Sequence, residues 1–232
     1  FIRRYMRIRK FETFSQKYLN INSTIQYPMP DWGYLQYDCV IVGSDQIWRN
    51  HESDGKHIGF DSVYFCQNIP KNIRCISYAA SMGIIQLNKE DKDILKNYLN
   101  RFSRILVREN SLKEAIDELG FESAIVVDPT LLLSKDEWNK FLPNKRFHTT
   151  KYVLYYELVK SKEALVFAKH KAEELGCKLL IMDATIPLIP QRRHISYASP
   201  IEFLHAIRDA EFVIATSFHG TAFSVIFEKQ FI

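Results

Sequence analysis

The residues best suited to chemistry stand in one short run, Ser217-Phe218-His219-Gly220-Thr221, set between the apolar stretches FVIAT and Ala222–Phe227. A β-branched run ahead and a helix-compatible run behind make this a strand-to-helix junction. Backbone N–H groups at a helix N-terminus, backed by the helix dipole, form an anion site. A histidine there can donate to the anion or move a proton near neutral pH. Gly220 lets a ligand approach the backbone, while Ser217 and Thr221 add hydroxyls. The plainer alternative is that Ser217 only caps the helix and His219 is a satisfied polar residue.

Other strand ends follow the same logic. Gly43-Ser44-Asp45 ends the apolar run Tyr37–Val42, and Asp45 can accept from a sugar hydroxyl or act as a base. Asp45 is equally readable as the N-cap of a helix entering Gln46-Ile47-Trp48. Arg108 closes Ile105-Leu106-Val107, and its guanidinium fork matches carboxylate or phosphate oxygens. It could instead pair with Glu109 or another acid. Ala80-Ser81 and Asp183 close two further apolar runs, and Ser81 joins the candidate binding residues. Asp128-Pro129-Thr130 reads as a turn that fixes the next helix.

These residues need a scaffold that brings strand ends to one side. Strand-like runs occur at Tyr37–Val42, Arg74–Tyr78, Arg104–Val107, Ser123–Val127, Tyr152–Glu157, Lys178–Met182 and Glu211–Ala215, without clean alternation, as in strands buried on both faces. Helical patterns lie between them: from the Asn88 cap to Phe102, from Asn110 to Gly120, from Ser161 to Gly176, and from Ser199-Pro200 onward. An amphipathic helix opens the chain, followed by the Pro-containing loop TIQYPMPDWG. Alternating strands and helices predict an α/β fold with mostly parallel sheets. In such sheets ligands bind outside the carboxyl ends of the strands. The polar stretch Leu142–Thr150 predicts a break between two domains, 1–142 and 151–232. Both ends read as interrupted: a long helical lead-in precedes the first strand, and a last strand only begins at Lys229–Ile232.

Composition narrows the classes. The 232 residues are 47% apolar and 25% charged, ordinary for a folded core. Lys and Arg total 31 against 27 Asp and Glu, a net charge of +4, with five basic residues in the first ten. That opening is a solvated helix face or one that touches an anionic membrane surface. No zinc-finger spacing, RNP-like strand or dense basic stripe argues for nucleic acid. Four scattered cysteines without a CxxC suit a reducing compartment rather than disulfides or zinc. No HxxxH or carboxylate-flanked histidine suggests a metal site, and no apolar run reaches the roughly 20 residues of a membrane span.

The blocks YDCVIVGSDQIW (Tyr37–Trp48), ISYAASMG (Ile76–Gly83), LVREN (Leu106–Asn110), VVDPTLLLSKDEW (Val126–Trp138) and the run Ser199–Lys229 containing SFHGTAFS resemble the polysaccharide pyruvyl transferase family, in collinear order. The resemblance implies two Rossmann-like domains facing across a cleft, as in GT-B glycosyltransferases. It implies a cytoplasmic enzyme, at the inner face of the membrane where its acceptor is lipid-linked. The implied donor is phosphoenolpyruvate, with no further cofactor, and the acceptor is a saccharide. An Arg at the position of Arg108 and a His at that of His219 are implicated in donor binding and catalysis. Two rivals share the architecture: a nucleotide-sugar glycosyltransferase, and a catalytically silent saccharide-binding homologue.

Overall fold

β-Branched and aromatic residues gather in short runs, and these become strands in the computed structural model, which describes residues 2–19, 37–53, 56–183, 194–195 and 197–232. The chain opens with α1 (Ile2–Tyr18), β1 (Cys39–Val42), β2 (His51–Ser53), β3 (Lys56–Gly59), β4 (Arg74–Ala80), α2 (Lys89–Leu99), β5 (Arg104–Val107), α3 (Asn110–Glu118) and β6 (Ala124–Ile125). It continues through α4 (Lys135–Asn139), β7 (Tyr152–Glu157), α5 (Lys162–Glu174), β8 (Lys178–Asp183), β9 (His194–Ile195), α6 (Pro200–Asp209), β10 (Phe212–Ala215) and α7 (Phe218–Ile226). The Pro-containing loop expected at 24–33 lies outside the described residues.

Two compact units result, residues 23–132 and residues 1–22 together with 133–232. The stretch Leu142–Thr150 lies within the second unit: Leu142 joins its apolar core, and the Phe147 amide donates to Asp209 at 2.7 Å. Helix α1 also belongs to that unit, where Lys10 pairs with Glu202 at 2.6 Å and Tyr18 meets the ring of Phe141.

Each unit is built on a parallel sheet, as the alternating pattern predicts. The first has the order β1-β4-β5-β6 and the second β10-β7-β8-β9. The antiparallel pair β2-β3 is an addition that the apolar periodicity does not announce. In the second sheet, successive side chains alternate between two covered faces. Tyr152, Leu154, Leu180, Met182 and Val213 meet α6 and α7 on one face. Val153, Tyr155, Leu179, Ile181 and Ile214 meet α5 on the other. In the first sheet, Ala80, Ile105 and Val107 pack under Leu95 and Leu99 of α2 and Leu112 and Ile116 of α3. On the outer strands of the first sheet, Ile41 of β1 and Ile125 of β6 are exposed. Among the described residues β1 and β6 have a neighbour on one side only, whereas β10 is covered by a parallel bridge between Val213 and Phe231.

Helix starts follow their caps. Asn88, Ser134 and Ser199 each form a reciprocal capping box, with Asp91, Glu137 and Glu202. The four cysteines are free thiols, and burial pushes Cys66 well above the ordinary thiol range, so it packs as an apolar group.

The first unit's core is anchored by Trp48, fully buried, stacked on Phe65 at 5.1 Å and donating its indole N–H to the Tyr64 carbonyl at 3.0 Å. Trp48→Ala is expected to destabilise this unit by about 3–5 kcal/mol, read from the urea midpoint.

Candidate functional site

In the first unit the carboxyl ends of the parallel strands converge on one buried carboxylate. Asp128 follows β6 and is 1% exposed. Its Oδ1 accepts from the Thr130 amide at 3.0 Å and the Thr130 hydroxyl at 2.8 Å, which closes the turn into the next helical segment. Its Oδ2 accepts from Arg108 Nη1 at 2.9 Å and Ser44 Oγ at 3.0 Å. One residue thus ties the ends of β1, β5 and β6. Burial pushes the Asp128 carboxyl up, but the bonds from Thr130, Arg108 and Ser44 outweigh it and hold the group below the usual carboxylate range.

Backbone pairing sets the neighbours. Asp45 forms a parallel bridge with Ala80 at the end of β4, and the Arg108 amide donates to the Ala80 carbonyl at 3.0 Å. Asp45 and Arg108 therefore flank one residue, and Arg108 Nη2 lies 3.4 Å from Asp45 Oδ1. Arg108 Nε lies 3.7 Å from Glu109. Glu109 in turn accepts from the Ser81 hydroxyl at 2.7 Å and from the amides of Met82 and Gly83 at 3.1 and 3.3 Å. Gly43 permits the approach of β1: at φ 138°, a Cβ there would stand 1.9 Å from the Tyr78 carbonyl oxygen.

The second unit offers a different kind of strand end. In the order β10-β7-β8-β9 the chain runs outward from β7 to β9 and then returns to the opposite side as β10. The reversal between β7 and β10 is where open parallel sheets leave a crevice. There Ser217 caps α7, its Oγ accepting from the Gly220 amide at 3.0 Å. The Thr221 amide and hydroxyl both donate to the Ser217 carbonyl. Thr216 Oγ1 accepts from the amides of Leu158 and Val159 at 2.9 and 3.0 Å, closing the loop after β7. His219, half-buried in the first turn of α7, meets the edge of the Phe218 ring and lines a cavity with Tyr156, Asp183 and Phe203.

The profile of the family described as Polysaccharide pyruvyl transferase matches residues 1–232. This chain belongs to the polysaccharide pyruvyl transferase family. No curated protein sequence matches it. Among its described residues, no helix is long and apolar enough to cross a membrane, and no group of three or more His, Cys, Asp or Glu could hold a metal ion.

Within this family member the residues singled out from sequence fall into two sets. Gly43, Ser44, Asp45, Ser81 and Arg108 come together in the first unit; Ser217, His219, Gly220 and Thr221 come together in the second. Several details differ from the sequence reading. Asp45 caps no helix: it sits at φ 72° in a turn, its carbonyl accepting from the Ile47 and Ser81 amides. Gly220 is buried, and a Cβ there would stand 2.7 Å from Ala215 Cβ and 3.0 Å from Tyr156 Cδ1. The space it leaves is filled by the protein's own wall, so it serves close packing of α7 on its sheet. Ser81 is buried with its hydroxyl on Glu109. Asp128 and Glu109, read from sequence only as a turn former and a partner for Arg108, also gather the strand ends. Their signal was position, an acid directly at or after a strand end.

Arg108→Ala leaves the Asp128 carboxylate buried without its cation and is expected to cost about 3–5 kcal/mol of unfolding free energy. Asp128 also predicts an acid limb. With its folded pKa below the unfolded value, its contribution is present above the usual Asp range near pH ~4 and lost as pH falls through the folded value. Asp128→Asn should flatten the stability-versus-pH curve in that window, measured by denaturant unfolding at several pH values.

Proposed function

We propose that the protein transfers the pyruvyl unit of phosphoenolpyruvate to two hydroxyls of one sugar, forming a cyclic ketal and releasing phosphate. The observation that carries this reading is the setting of Arg108. Its Nη1 is anchored by buried Asp128, while Nη2 and Nε meet Asp45 and Glu109 only at 3.4 and 3.7 Å. A donor carboxylate or phosphate can replace the longer contacts with shorter, charge-assisted ones. A guanidinium held from behind is already oriented for that exchange. Membership in a family of pyruvyl transferases supports a pyruvyl donor.

The chemistry then divides among the residues as follows. A proton adds to C3 of phosphoenolpyruvate, turning the methylene into a methyl and giving C2 cationic character. A sugar hydroxyl attacks C2, the C2–O bond to phosphate breaks, and a second hydroxyl of the same sugar closes the ketal. Two hydroxyl protons are lost: one balances the proton gained by C3, and the other leaves with phosphate. His219 is assigned the general acid or the phosphate contact, helped by the first turn of α7. Asp45, with its side chain 60% exposed, is released from Arg108 when the donor arrives and takes the hydroxyl proton. Ser44 and Gly43 hold that turn; Ser217, Gly220 and Thr221 build the start of α7.

Phosphoenolpyruvate at about 100 times its Kd should stabilise the protein by roughly 2.7 kcal/mol in a thermal titration. Arg108→Lys, which keeps a cation beside Asp128 but loses the fork, should abolish most of that shift. His219→Ala should lower phosphate release from donor plus acceptor by about 10²–10⁴-fold; a shift that survives marks His219 as the general acid, and a reduced one as the phosphate contact. Stabilisation by UDP- or GDP-sugars without any by phosphoenolpyruvate would overturn the assignment in favour of a glycosyltransferase.

A further inference from the structure

A cavity of about 250 Å³ opens at the carboxyl ends of the second unit's strands. It is bounded by Tyr156 at the end of β7, Asp183 at the end of β8, Phe203 of α6, His219 of α7, and Arg7 and Phe11 of α1. The aromatic walls are fixed by their own contacts, Tyr156 against Phe203 at 4.7 Å and Phe203 against Phe223 at 5.9 Å. Such ring faces carry partial negative charge and suit the C–H face of a sugar. The volume lies below the roughly 300–1,000 Å³ of pockets for larger ligands and suits a ligand about the size of a single hexose ring.

Helix α1 reaches this cavity by its periodicity. Arg7, Lys10, Phe11 and Phe14 recur at i, i+3, i+4 and i+7, one helical face. Lys10 fastens that face: its ammonium bonds both Glu202 oxygens at 2.6 and 2.8 Å and lies 4.9 Å from the Tyr197 ring centre. Glu202 at the same time accepts from the Ser199 amide at 2.8 Å in the capping box of α6. The docking of α1 and the start of the helix carrying Phe203 thus depend on one carboxylate. One turn before Lys10, Arg7 enters the cavity with its guanidinium 5.7 Å from the Phe11 ring centre. Burial pushes the Tyr156 hydroxyl above its ordinary range and Arg7 draws it back, as expected of close neighbours.

We propose that this cavity is the acceptor subsite, that it takes one sugar ring against the aromatic walls, and that Arg7 selects an acceptor carrying an anionic group. This deepens the transferase reading and rests on it. Asp183 and His219 then border the sugar hydroxyls. The anion is a carboxylate on the sugar or a phosphate at its anomeric position, since both match the guanidinium fork.

The test is sugar binding alone, without donor, followed by amide chemical shifts of the whole chain. Methyl glucuronide, glucose 1-phosphate and methyl glucoside are titrated separately into the wild type, Arg7→Gln and Arg7→Lys. At least one anionic sugar should bind about tenfold tighter than the neutral one, shifting the amides of residues 156, 203 and 219. Arg7→Gln should erase that preference, and Arg7→Lys should restore part of it. The anionic probe that binds tighter identifies carboxylate or phosphate. Equal binding of all three sugars, no binding of any, or an anionic preference that survives Arg7→Gln would overturn the proposal. Failure of phosphoenolpyruvate to stabilise the protein bears on the donor reading instead, so the two are separable.

Discussion

A buried carboxylate is tolerable only if donors surround it, and this requirement organises the whole first unit. Asp128 can collect Ser44, Arg108 and Thr130 only if the ends of β1, β5 and β6 arrive together. The backbone is bent to achieve it. Asp45 at φ 72° and Ala79 at φ 52° both adopt the left-handed region, and the β4–β5 register shifts between Ser77 and Ala80. Such residues cost about 1–3 kcal/mol each and persist where surrounding bonds over-determine them. Here those bonds include the Ser81 amide on the Asp45 carbonyl, the Arg108 amide on the Ala80 carbonyl, and Glu109 gathering Ser81, Met82 and Gly83. The side chain of Arg108 is thereby held from several sides, which is what its proposed role of positioning a reactive anion demands.

The second unit reaches order by packing rather than by charge. Gly220 brings α7 so close to Ala215 and Tyr156 that no side chain fits between. That closeness sets where His219 stands relative to Tyr156 at the end of the adjacent strand. Tyr156, Phe203, Phe223 and Trp138 then form a continuous run of ring contacts at 4.7, 5.9 and 5.2 Å. A polar end set on an aromatic wall can hold a ligand's polar groups and its apolar face at once. Asp128 and Gly220 solve one problem in two ways, because a strand end carries unpaired backbone and must be fixed by something.

The strand ends were legible in the sequence because apolar β-branched runs stop abruptly at polar residues, as at Val42-Gly43, Val107-Arg108 and Thr216-Ser217. Helix starts were legible for the same local reason, since Asn88, Ser161 and Ser199 precede their helices with the chemistry of caps. The turn read at Asp128 is present, but it is one of two roles. Asp-Pro-Thr does form the turn, through Oδ1, and sequence cannot show that Oδ2 is simultaneously given to Arg108. For Gly220 the structure adds a packing role, which sequence does not announce, since a missing side chain looks alike whether a ligand or a neighbouring strand fills its place. The placement of α1 had no local signal at all: Lys10 and Glu202 are separated by 192 positions.

That placement changes what the basic start of the chain can mean. Read as a string, its charges form a single cationic helix. On the molecule they separate by helical angle: Lys10 is committed to Glu202 and Arg7 to the cavity, whereas Arg4 and Arg9 are exposed beside Tyr5, Met6 and Ile8. The inward pair cannot serve a surface without opening the wall it completes and uncapping Glu202 from Lys10. Any contact of this helix with an anionic membrane therefore falls to the outward residues, where Arg9 lies 5.9 Å from the ring centre of Tyr5 and aliphatic side chains stand next to the cations. An interfacial helix needs that combination on one face. The two faces of α1 are thus free to act at once, one fixing the cavity and the other meeting whatever lies outside it.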